Sequence, residues 1–596
     1  MPNPEPKRIS LSVTVHIGLL LLVLCFHHVN NFILLKRDCG QFATGDERIQ
    51  RINPLFYYSI FTGKQGKVDY SNRTTQPNHI FMAMHRTHWP PFPFMISAVS
   101  CILFNLSVRS LLLPATFCFL LLLIATYGIG RRVFNPTTGL LAAALLGFFP
   151  LVNELSRVLK GDIFMAAFIA ASLFLLMDPR LFEKRSHSVL LGVTMGLGML
   201  SLGAFPLYFF APALALAWTS YRSRGEERCS HSWSWPNVAL TILIAAGLAS
   251  TFYFPGGLKR FLTGFFEDSA RHRSFLANNW LDTGPFFYLK SLVFQQVSWP
   301  VFLFLLPGIP FLFRIRIRRP HLLMLALWFL VPFAFFSMSP LKYHRYMLAT
   351  TPVPALLAAA GLRCIPLKVL RIVLIGATVA VSLFMNLSFS YSIPSSFQDT
   401  ILLFKSNVLG STGLPIVHEK GRGEEDICRV VDRVYQIVAE NSAGTAAIAL
   451  FDDPTVWNTY PFEERIFLKS VGSNAPIHVY ENAADVKRTD FPEEKNIYLV
   501  VFSYLYADPL MKPSDYSPME LWLDENLRQP LDALKSDEVM KPDIASLPSD
   551  DSLFRSVHAW KLLESYNLDS STPPGIARPA YSRFIIHLLR AENFSD

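Results

Sequence analysis

Residues 186–221 read SHSVLLGVTMGLGMLSLGAFPLYFFAPALALAWTSY and contain no Lys, Arg, Asp or Glu. As one helix this stretch would be about 54 Å long at ~1.5 Å per residue, which is too long for a single membrane crossing. Gly203 and Pro206 lie at its middle and favour a turn there. Basic residues flank both ends, at Lys184-Arg185 and at Arg222. The stretch therefore predicts two short membrane helices joined by a turn.

Short basic clusters interrupt the other apolar stretches in the same way, at alternate gaps from about Ser10 to Ser392. Basic residues near helix ends are retained in the cytosol, so the clusters mark the cytosolic face. They are Arg131-Arg132, Lys184-Arg185, Arg222 to Arg228, Arg314 to Arg319 and Arg363 to Arg371. The gaps on the opposite face hold Asp46, Glu47, His88, Arg157, Asp162, His272 and the run Lys342-Tyr343-His344-Arg345-Tyr346. One face anchors the chain, and the other carries candidate chemistry.

A membrane helix needs about 20 apolar residues, and the chain offers about eleven such segments. They are 10–29, 110–130, 138–155, 162–177, 188–203, 205–220, 237–255, 290–313, 321–338, 346–362 and 369–391. The segment 91–106 is ambiguous, because as a further span it would reverse the side of every later basic cluster. We interpret it as an interfacial or re-entrant piece at the end of the first outer loop, 31–109. The N-terminus is then inside and the C-terminus outside the plasma (inner) membrane.

The chain changes character at about Ile393, where charges become frequent and apolar runs shrink to strand length. AIALF (447–451), IYLVVF (497–502) and FIIHLL (584–589) are predicted to be buried strands, and CRVVDRVYQIVAEN (428–441) has helical spacing. The predicted fold class is a polytopic α-helical membrane domain, 1–391, followed by a soluble α/β or α+β domain, 392–596, on the outer face.

The composition agrees with a membrane protein. Only 17% of the residues are charged, where a soluble chain would carry about a quarter. The net charge of +9 is spread over short loops, which retention at an anionic cytosolic leaflet explains. No nucleic-acid partner is predicted.

Five motifs follow one another along the membrane part. They are the acidic pair Asp46-Glu47, Pro90-Pro91 before an apolar segment, Gly130 to Phe134 followed by Gly139 to Ala143, Ser156-Arg157 with Asp162, and His344-Arg345-Tyr346 before Pro352-Val353-Pro354. In this order they resemble the membrane glycosyltransferases of the GT-C fold, in particular the protein O-mannosyltransferases and the lipid A aminoarabinose transferases. The resemblance covers about residues 1–390 and implies a donor sugar linked to polyprenyl phosphate.

The resemblance implies a catalytic carboxylate. Asp46 matches the leading acid of the family and would take the proton of the acceptor hydroxyl. Glu47 lies beside it, and Asp162 is the next candidate. A solvated loop carboxylate or a helix cap is the alternative role for Asp46.

A leaving phosphate needs cations around it, and the arginine fork suits phosphate oxygens. The candidate residues for the donor phosphate or substrate are Arg157, Lys342, His344, Arg345, Tyr346 and His88. Lys342 could instead extend toward the membrane interface, and Arg157 could pair with Asp162. Lipid A transferases carry Glu-Lys before the Pro-Pro, where this chain has His88-Trp89, so phosphate binding must come from elsewhere.

The sequence leaves open whether the chain binds a divalent metal. Two histidines and a carboxylate would suit zinc, and His88 and His272 both fall on the outer face. Isolated histidines are more often ordinary polar residues. No cofactor is therefore required, and a metal at His88 and His272 stays an alternative.

The leading hypothesis is an inverting glycosyltransferase that uses a polyprenyl-phosphate sugar donor and a lipid, glycan or protein acceptor. The alternative from another class is a lipid or sugar-lipid transporter, which should show repeat symmetry and ionisable residues near mid-membrane. Neither pattern is found in the sequence. A membrane scaffold would not need acids and bases on short loops.

The alternation of basic clusters makes a testable topology. In a cysteine-free background, cysteines placed at Arg131, Arg224 and Arg316 should react with a membrane-impermeant maleimide only after the cells are permeabilised. A cysteine at Tyr480 should react in intact cells, because the C-terminal part is predicted to lie outside. Labelling at position 480 from the cytosolic side only would contradict the eleven-span arrangement.

Overall fold

The computed structural model describes the chain in segments. The membrane part is described over 11–37, 46–63, 89–178, 181–222, 234–254, 259, 286–297, 299–314, 319–339 and 342–391, and the C-terminal part over 433–440, 446–451, 477–480, 496–504, 539–540, 557–569 and 583–594. These residues fall into two compact units. The first contains the described residues of 1–37, 80–105 and 109–417, and the second those of 38–79, 106–108 and 418–596.

The first unit is helical throughout its described length. Its α-helices are α1 (Leu11–Arg37), α3 (Phe92–Phe104), α4 (Val108–Val133), α5 (Pro136–Gly147), α6 (Pro150–Leu155), α7 (Gly161–Leu176), α8 (Arg185–Met199), α9 (Phe205–Arg222), α10 (Trp235–Phe252), α11 (Phe287–Ser291), α12 (Trp299–Arg314), α13 (Arg319–Met338), α14 (Pro352–Arg363) and α15 (Lys368–Tyr391). A π-helix (Leu292–Gln296) follows α11, and 3₁₀-helices cover Leu181–Glu183 and His344–Thr350.

In its described residues, every predicted membrane segment coincides with one helix or with two or three successive helical pieces. Five of these helices are long and apolar enough to cross a membrane. They contain Thr14–Ile33, Arg109–Val133, Trp235–Phe252, Pro320–Met338 and Lys368–Leu387. The remaining segments form shorter or broken helices, so the count of about eleven crossings stays a prediction.

The uncharged stretch 186–221 forms two helices, as predicted. Helix α8 ends at Met199, and α9 begins at Phe205. The turn between them packs tightly, because a Cβ at Gly198 would strike the ring of Phe205. Phe205 in turn stacks on Phe209, with ring centroids 5.1 Å apart.

Contacts along α1 show that it runs parallel to the pair α5–α6. His16 Nε2 lies 3.1 Å from Thr137 Oγ1 near the start of both, and Asn31 Nδ2 donates to Ser156 Oγ at 2.9 Å near their ends. The connection from Ser156 to α7 is therefore at the end of the bundle where α1 finishes. We call this the site end.

At the opposite end of the bundle, Arg132 at the C-terminus of α4 contacts the end of α7. Its guanidinium carbon lies 3.9 Å above the ring of Phe174, and it donates to the carbonyl of the same residue in α7. Asp178 completes the contact with an oxygen 3.7 Å away. The basic cluster Arg131-Arg132 is thus at the end away from Ser156, in line with the alternation of charge.

The glycines of the third motif allow helices to approach closely. A Cβ at Gly130 would lie 2.5 Å from the Cα of Gly139, and a Cβ at Gly139 would lie 2.5 Å from the carbonyl oxygen of Tyr127. Both contacts involve backbone atoms, which cannot move aside as a flexible side chain can. The motif therefore has a packing role at the α4–α5 crossing.

Helix α3 corresponds to the ambiguous segment 91–106. At about 20 Å for its 13 residues, it is shorter than the hydrocarbon of a bilayer. The Phe92 amide donates to the Leu200 carbonyl at 3.1 Å, and the Phe92 ring contacts Phe168 edge-on. These features fit an interfacial or re-entrant piece, and that interpretation stays a prediction.

The second unit contains α2 (Asp46–Thr62), a helical segment at 433–440 and six strands. The strands are β1 (Ala446–Phe451), β2 (Ile477–Tyr480), β3 (Asn496–Tyr504), β4 (Val539–Met540), β5 (Val557–Asp569) and β6 (Arg583–Phe594). They form one mixed sheet in the order β2-β1-β3-β6-β5-β4. Strands β2, β1 and β3 are parallel, and the β3–β6, β6–β5 and β5–β4 pairs are antiparallel. The three predicted strands and the predicted helix are present; β2, β4 and β5 were not predicted.

The glycine crossing can be tested by a single methyl group. Gly139→Ala should destabilise the protein by about 1–3 kcal/mol, because the methyl would overlap backbone atoms. This destabilisation would be measured as a lower midpoint of thermal unfolding in detergent. Gly376→Ala is the matched control, since a Cβ there meets no described atom within 4 Å. Alanine favours a helix over glycine by about 1 kcal/mol, so this control should be as stable as the wild type or more so. Equal midpoints for the two variants would contradict the packing role.

Candidate active site

Hydrogen bonds from side chains to a nearby backbone carbonyl fix the short connection between α6 and α7. The carbonyl oxygen of Asn153 accepts from Ser156 Oγ at 2.6 Å and from Arg157 Nε at 3.2 Å. Arg157 is buried, with 9% of its surface exposed. A buried guanidinium needs partners for its donors, and this carbonyl provides one of them.

Two other helices hold the same connection from the side. Asn31 of α1 donates to the Ser156 hydroxyl, and Thr116 of α4 donates to the Ser156 carbonyl at 3.3 Å. Ser156 is fully buried. The Ser-Arg motif is therefore a fixed structural element that presents Arg157 from a defined position.

Asp162 lies in the first turn of α7. Only 5% of its surface is exposed, and the positive end of the helix dipole favours a carboxylate at this position. The helix start is pressed against the α8–α9 turn, because a Cβ at Gly161 would overlap the carbonyl of Ser201. Asp162 also lies within electrostatic range of the Tyr208 hydroxyl from α9.

The 3₁₀-helix His344–Thr350 packs against both α6 and α7. Two motifs that are nearly 200 residues apart in the sequence, at Ser156-Arg157 and at His344-Arg345-Tyr346, thus meet at the site end. Arg157, Asp162, Lys342, His344, Arg345 and Tyr346 all belong to this region of the first unit. The structure brings together six of the predicted site residues.

Lys342 is bound to the end of α13. Its Nζ donates to the carbonyl of Phe336 at 2.7 Å and to that of Ser337 at 2.6 Å. These carbonyls are at the helix C-terminus, where a cation complements the negative end of the dipole. Desolvation lowers the pKa of Lys342 to about 8. The ammonium group is therefore committed to a helix cap.

Arg345 is placed differently, beside two aromatic rings. Its guanidinium carbon lies 4.6 Å from the ring centroid of Tyr343 and 5.9 Å from that of Tyr346. The side chain is half-buried. A guanidinium stacked on rings keeps its in-plane N–H donors directed outward, which suits it to an anionic ligand.

His344 faces the interior. Its Nδ1 lies 2.8 Å from Ser291 Oγ, and its ring stacks on Phe287 with centroids 4.7 Å apart. The residue is 7% exposed. These contacts support an anchoring role for His344, while its predicted contact with the donor phosphate stays a prediction.

Sequence reasoning missed several residues of this region: Asn31, Tyr208, Tyr288, Ser291 and Gln296. Each lies in an apolar or unremarked segment, and none belongs to a motif. The local signal for them is weak, because a single polar residue in an apolar helix is also common in ordinary helix packing.

The other predicted site residues are elsewhere. Asp46 and Glu47 open α2 in the second unit, and their side chains lie outside the described part of the chain, as do His88 and His272. Among the residues that are described, no group of three His, Cys, Asp or Glu side chains could hold a metal. The metal alternative at His88 and His272 is thus still a prediction.

Comparison with solved structures shows the fold. Over 85% of this chain and 95% of the other, the structure matches apo ArnT from Cupriavidus metallidurans with a TM-score of 0.52 and 18% identity. This is the GT-C fold. The match to ArnT from the same organism bound to undecaprenyl phosphate has a TM-score of 0.52 and 15% identity, over 96% of this chain and 98% of that one.

A family model adds a match in sequence. Residues 88–249 match the family model for dolichyl-phosphate-mannose-protein mannosyltransferase. The matched region includes the second, third and fourth motifs, from Pro90-Pro91 to Asp162. Comparison with curated protein sequences gave no match. The chain thus resembles the GT-C membrane glycosyltransferases, as its motifs indicated.

The contrast between Arg345 and Lys342 generates a prediction about anion binding. Arg345→Ala should weaken binding of undecaprenyl phosphate about tenfold or more, because a fork-shaped donor is lost. Lys342→Met keeps the aliphatic stem and removes only the ammonium group, which is already bonded to helix carbonyls. It should weaken binding of undecaprenyl phosphate by a much smaller factor than Arg345→Ala does, and it should also lower thermal stability. Equal affinity of the Arg345 variant and the wild type in detergent titrations would refute the phosphate role.

Proposed function

We propose that this chain is an inverting glycosyltransferase that moves a sugar from a polyprenyl-phosphate-linked donor to a lipid, glycan or protein acceptor. The observation that supports this most is that the α6–α7 region, which carries Arg157 and Asp162, packs against the 3₁₀-helix that carries Arg345, at one end of a helical membrane unit. Cationic side chains at the ends of membrane helices can bind the phosphate of a lipid whose hydrocarbon chain lies in the bilayer. The ArnT structure with undecaprenyl phosphate shows that a protein of this fold binds such a lipid.

The proposed reaction is a direct displacement at the anomeric carbon. The acceptor oxygen forms a bond to this carbon as the bond from carbon to the phosphate oxygen breaks. The electron pair of the broken bond goes to the phosphate, which leaves as polyprenyl phosphate. The acceptor proton goes to a carboxylate, and attack from the opposite face inverts the configuration.

Two groups of residues divide this work. Arg345, with Arg157 close by, would stabilise the negative charge on the leaving phosphate, which is worth most where water is excluded. Asp46 would take the acceptor proton, and Glu47 would bind or orient the acceptor.

The remaining candidate residues would have supporting roles. Lys342, His344 and Tyr346 would shape the phosphate pocket, and His88 would contribute to substrate binding. Asp162 is the second candidate for the base.

The proposed location is the plasma membrane. The site end and the C-terminal domain would face the exterior, because the basic clusters of the other end are those retained in the cytosol. The proposed domain boundary falls near residue 391, after the last apolar helix. The C-terminal domain would then lie on the same side of the membrane as the site.

The function can be tested with purified protein in proteoliposomes. Undecaprenyl-phosphate-linked sugars are added with cell-envelope lipids or glycans as acceptors, and the products are identified by mass spectrometry. We expect release of undecaprenyl phosphate and a sugar added to one acceptor with inverted configuration. Comparison of lipids and envelope glycans from cells with and without the gene would identify that acceptor. Movement of intact donor across the vesicle membrane without cleavage would favour the transporter instead.

The role of Asp46 has its own test. Asp46→Asn preserves size but removes the proton acceptor, so the rate should fall by about 10²-fold or more, roughly 3 kcal/mol of barrier. Donor binding should be unchanged. Glu47→Gln is the matched control and should cost less, because Glu47 is proposed only to orient. A stable Asp46→Asn protein that transfers sugar near the wild-type rate would move the base to another residue, with Asp162→Asn as the next variant to measure.

A further inference from the structure

The backbone on both sides of Arg345 is tied to other helices by tyrosine hydroxyls. Tyr288 of α11 donates to the carbonyl of Tyr343 at 3.3 Å, and Tyr208 of α9 donates to the carbonyl of Tyr346. Both donors are buried, with 0% of Tyr288 and 1% of Tyr208 exposed. Burial raises the pKa of Tyr288, so its hydroxyl keeps the proton that it donates.

A third tie comes from the π-helix Leu292–Gln296. Gln296 Nε2 donates to Ser291 Oγ at 2.8 Å, and Ser291 Oγ lies 2.8 Å from His344 Nδ1. In an α-helix, side chains five residues apart point about 140° away from each other at ~100° per residue. A π-helix bonds each N–H five residues back, so such side chains lie side by side. The π-turn therefore builds the Gln296–Ser291 pair that holds His344.

Anchoring His344 also sets the direction of Arg345. Successive side chains in a 3₁₀-helix point about 120° apart, since it has ~3 residues per turn. With His344 held inward by Ser291 and Phe287, the next side chain, Arg345, points about 120° away from it and lies beside the Tyr343 ring. An arginine left to itself has many rotamers, and ordering it costs free energy that binding must supply.

We propose that Tyr208, Tyr288 and the chain Gln296–Ser291–His344 are positioning residues that hold Arg345 ready for the donor phosphate. The proposal rests on the proposed function, in which Arg345 binds that phosphate. It adds Tyr208 from α9, and Tyr288, Ser291 and Gln296 from the stretch of α11 and the π-helix, to the site. None of these four residues contacts the phosphate in this role. These residues would affect phosphate binding only through Arg345. Experiments can therefore distinguish this positioning role from a general effect on folding.

The first experiment measures undecaprenyl phosphate binding and transfer kinetics for Tyr208→Phe, Tyr288→Phe and Ser291→Ala. Each removes one tie, so the affinity for undecaprenyl phosphate should fall about tenfold, and kcat/KM for the donor should fall by a similar factor. Tyr253→Phe is the matched control, because the Tyr253 hydroxyl donates to the Met199 carbonyl at 2.9 Å between α10 and α8. It loses the same kind of bond but has no tie to the segment 343–350, so it should bind undecaprenyl phosphate as wild type does. Wild-type affinity in all three site variants would overturn the proposal.

The second experiment is a double-mutant cycle. In an Arg345→Ala background, Tyr208→Phe should cause no further loss of affinity, because the group that it positions is absent. A further tenfold loss in that background would show that Tyr208 acts on the site in some other way, and would overturn the proposal.

The third measurement needs no substrate. Amides of residues 343–350 should exchange with deuterium faster in Tyr208→Phe than in wild type or in Tyr253→Phe. Unchanged exchange would mean that the tyrosine does not hold the segment. A wild-type protein that binds undecaprenyl phosphate but transfers no sugar would contradict the proposed function, while the affinity and exchange results would still decide the positioning role.

Discussion

The structure depends on the requirement that every backbone polar group inside a membrane be bonded. Hydrocarbon offers no partner for a free N–H or C=O, so the apolar segments fold as helices that bond internally. The cost of leaving a group unbonded is several kcal/mol, which leaves little choice of local structure along most of the first unit. Where the helices break, side chains must take over the bonding.

Three of the breaks between the described helices of the first unit lie around the candidate site. The α6–α7 connection, the segment before the 3₁₀-helix and the π-turn after α11 all leave backbone or side-chain groups that need partners. Ser156, Tyr208, Tyr288 and Lys342 supply many of them. Within a membrane, irregular backbone is tolerated where it is buried in protein or lines a cavity. The site is therefore built at the places where regular helix ends, and the polar side chains present there serve the scaffold as well as the proposed chemistry.

The same reasoning separates packing motifs from chemical ones. The Gly-Arg-Arg-x-Phe stretch and the following Gly139 look like one functional signature in the sequence. The structure divides them: Gly130 and Gly139 allow two helices to touch, and Arg132 joins the ends of α4 and α7 through Phe174 and Asp178. In a membrane, small residues at helix crossings supply close van der Waals packing, because burial of apolar surface gains little there. A motif shared with a family can thus indicate the fold without containing a residue that takes part in the reaction.

The sequence by itself determined the helical segments, the division of 186–221 into two helices and three of the strands, because these follow from hydropathy and local propensity. It also singled out Arg157, Asp162 and Arg345 as residues of one face. Only the tertiary structure decided that the segments carrying these residues pack together, that Lys342 caps α13, and that Tyr208 reaches a carbonyl 138 residues away. The π-turn that pairs Ser291 with Gln296 had no signal in the sequence. The physical reason is that such contacts depend on which helices pack together, and a single polar residue in an apolar helix does not reveal its distant partner.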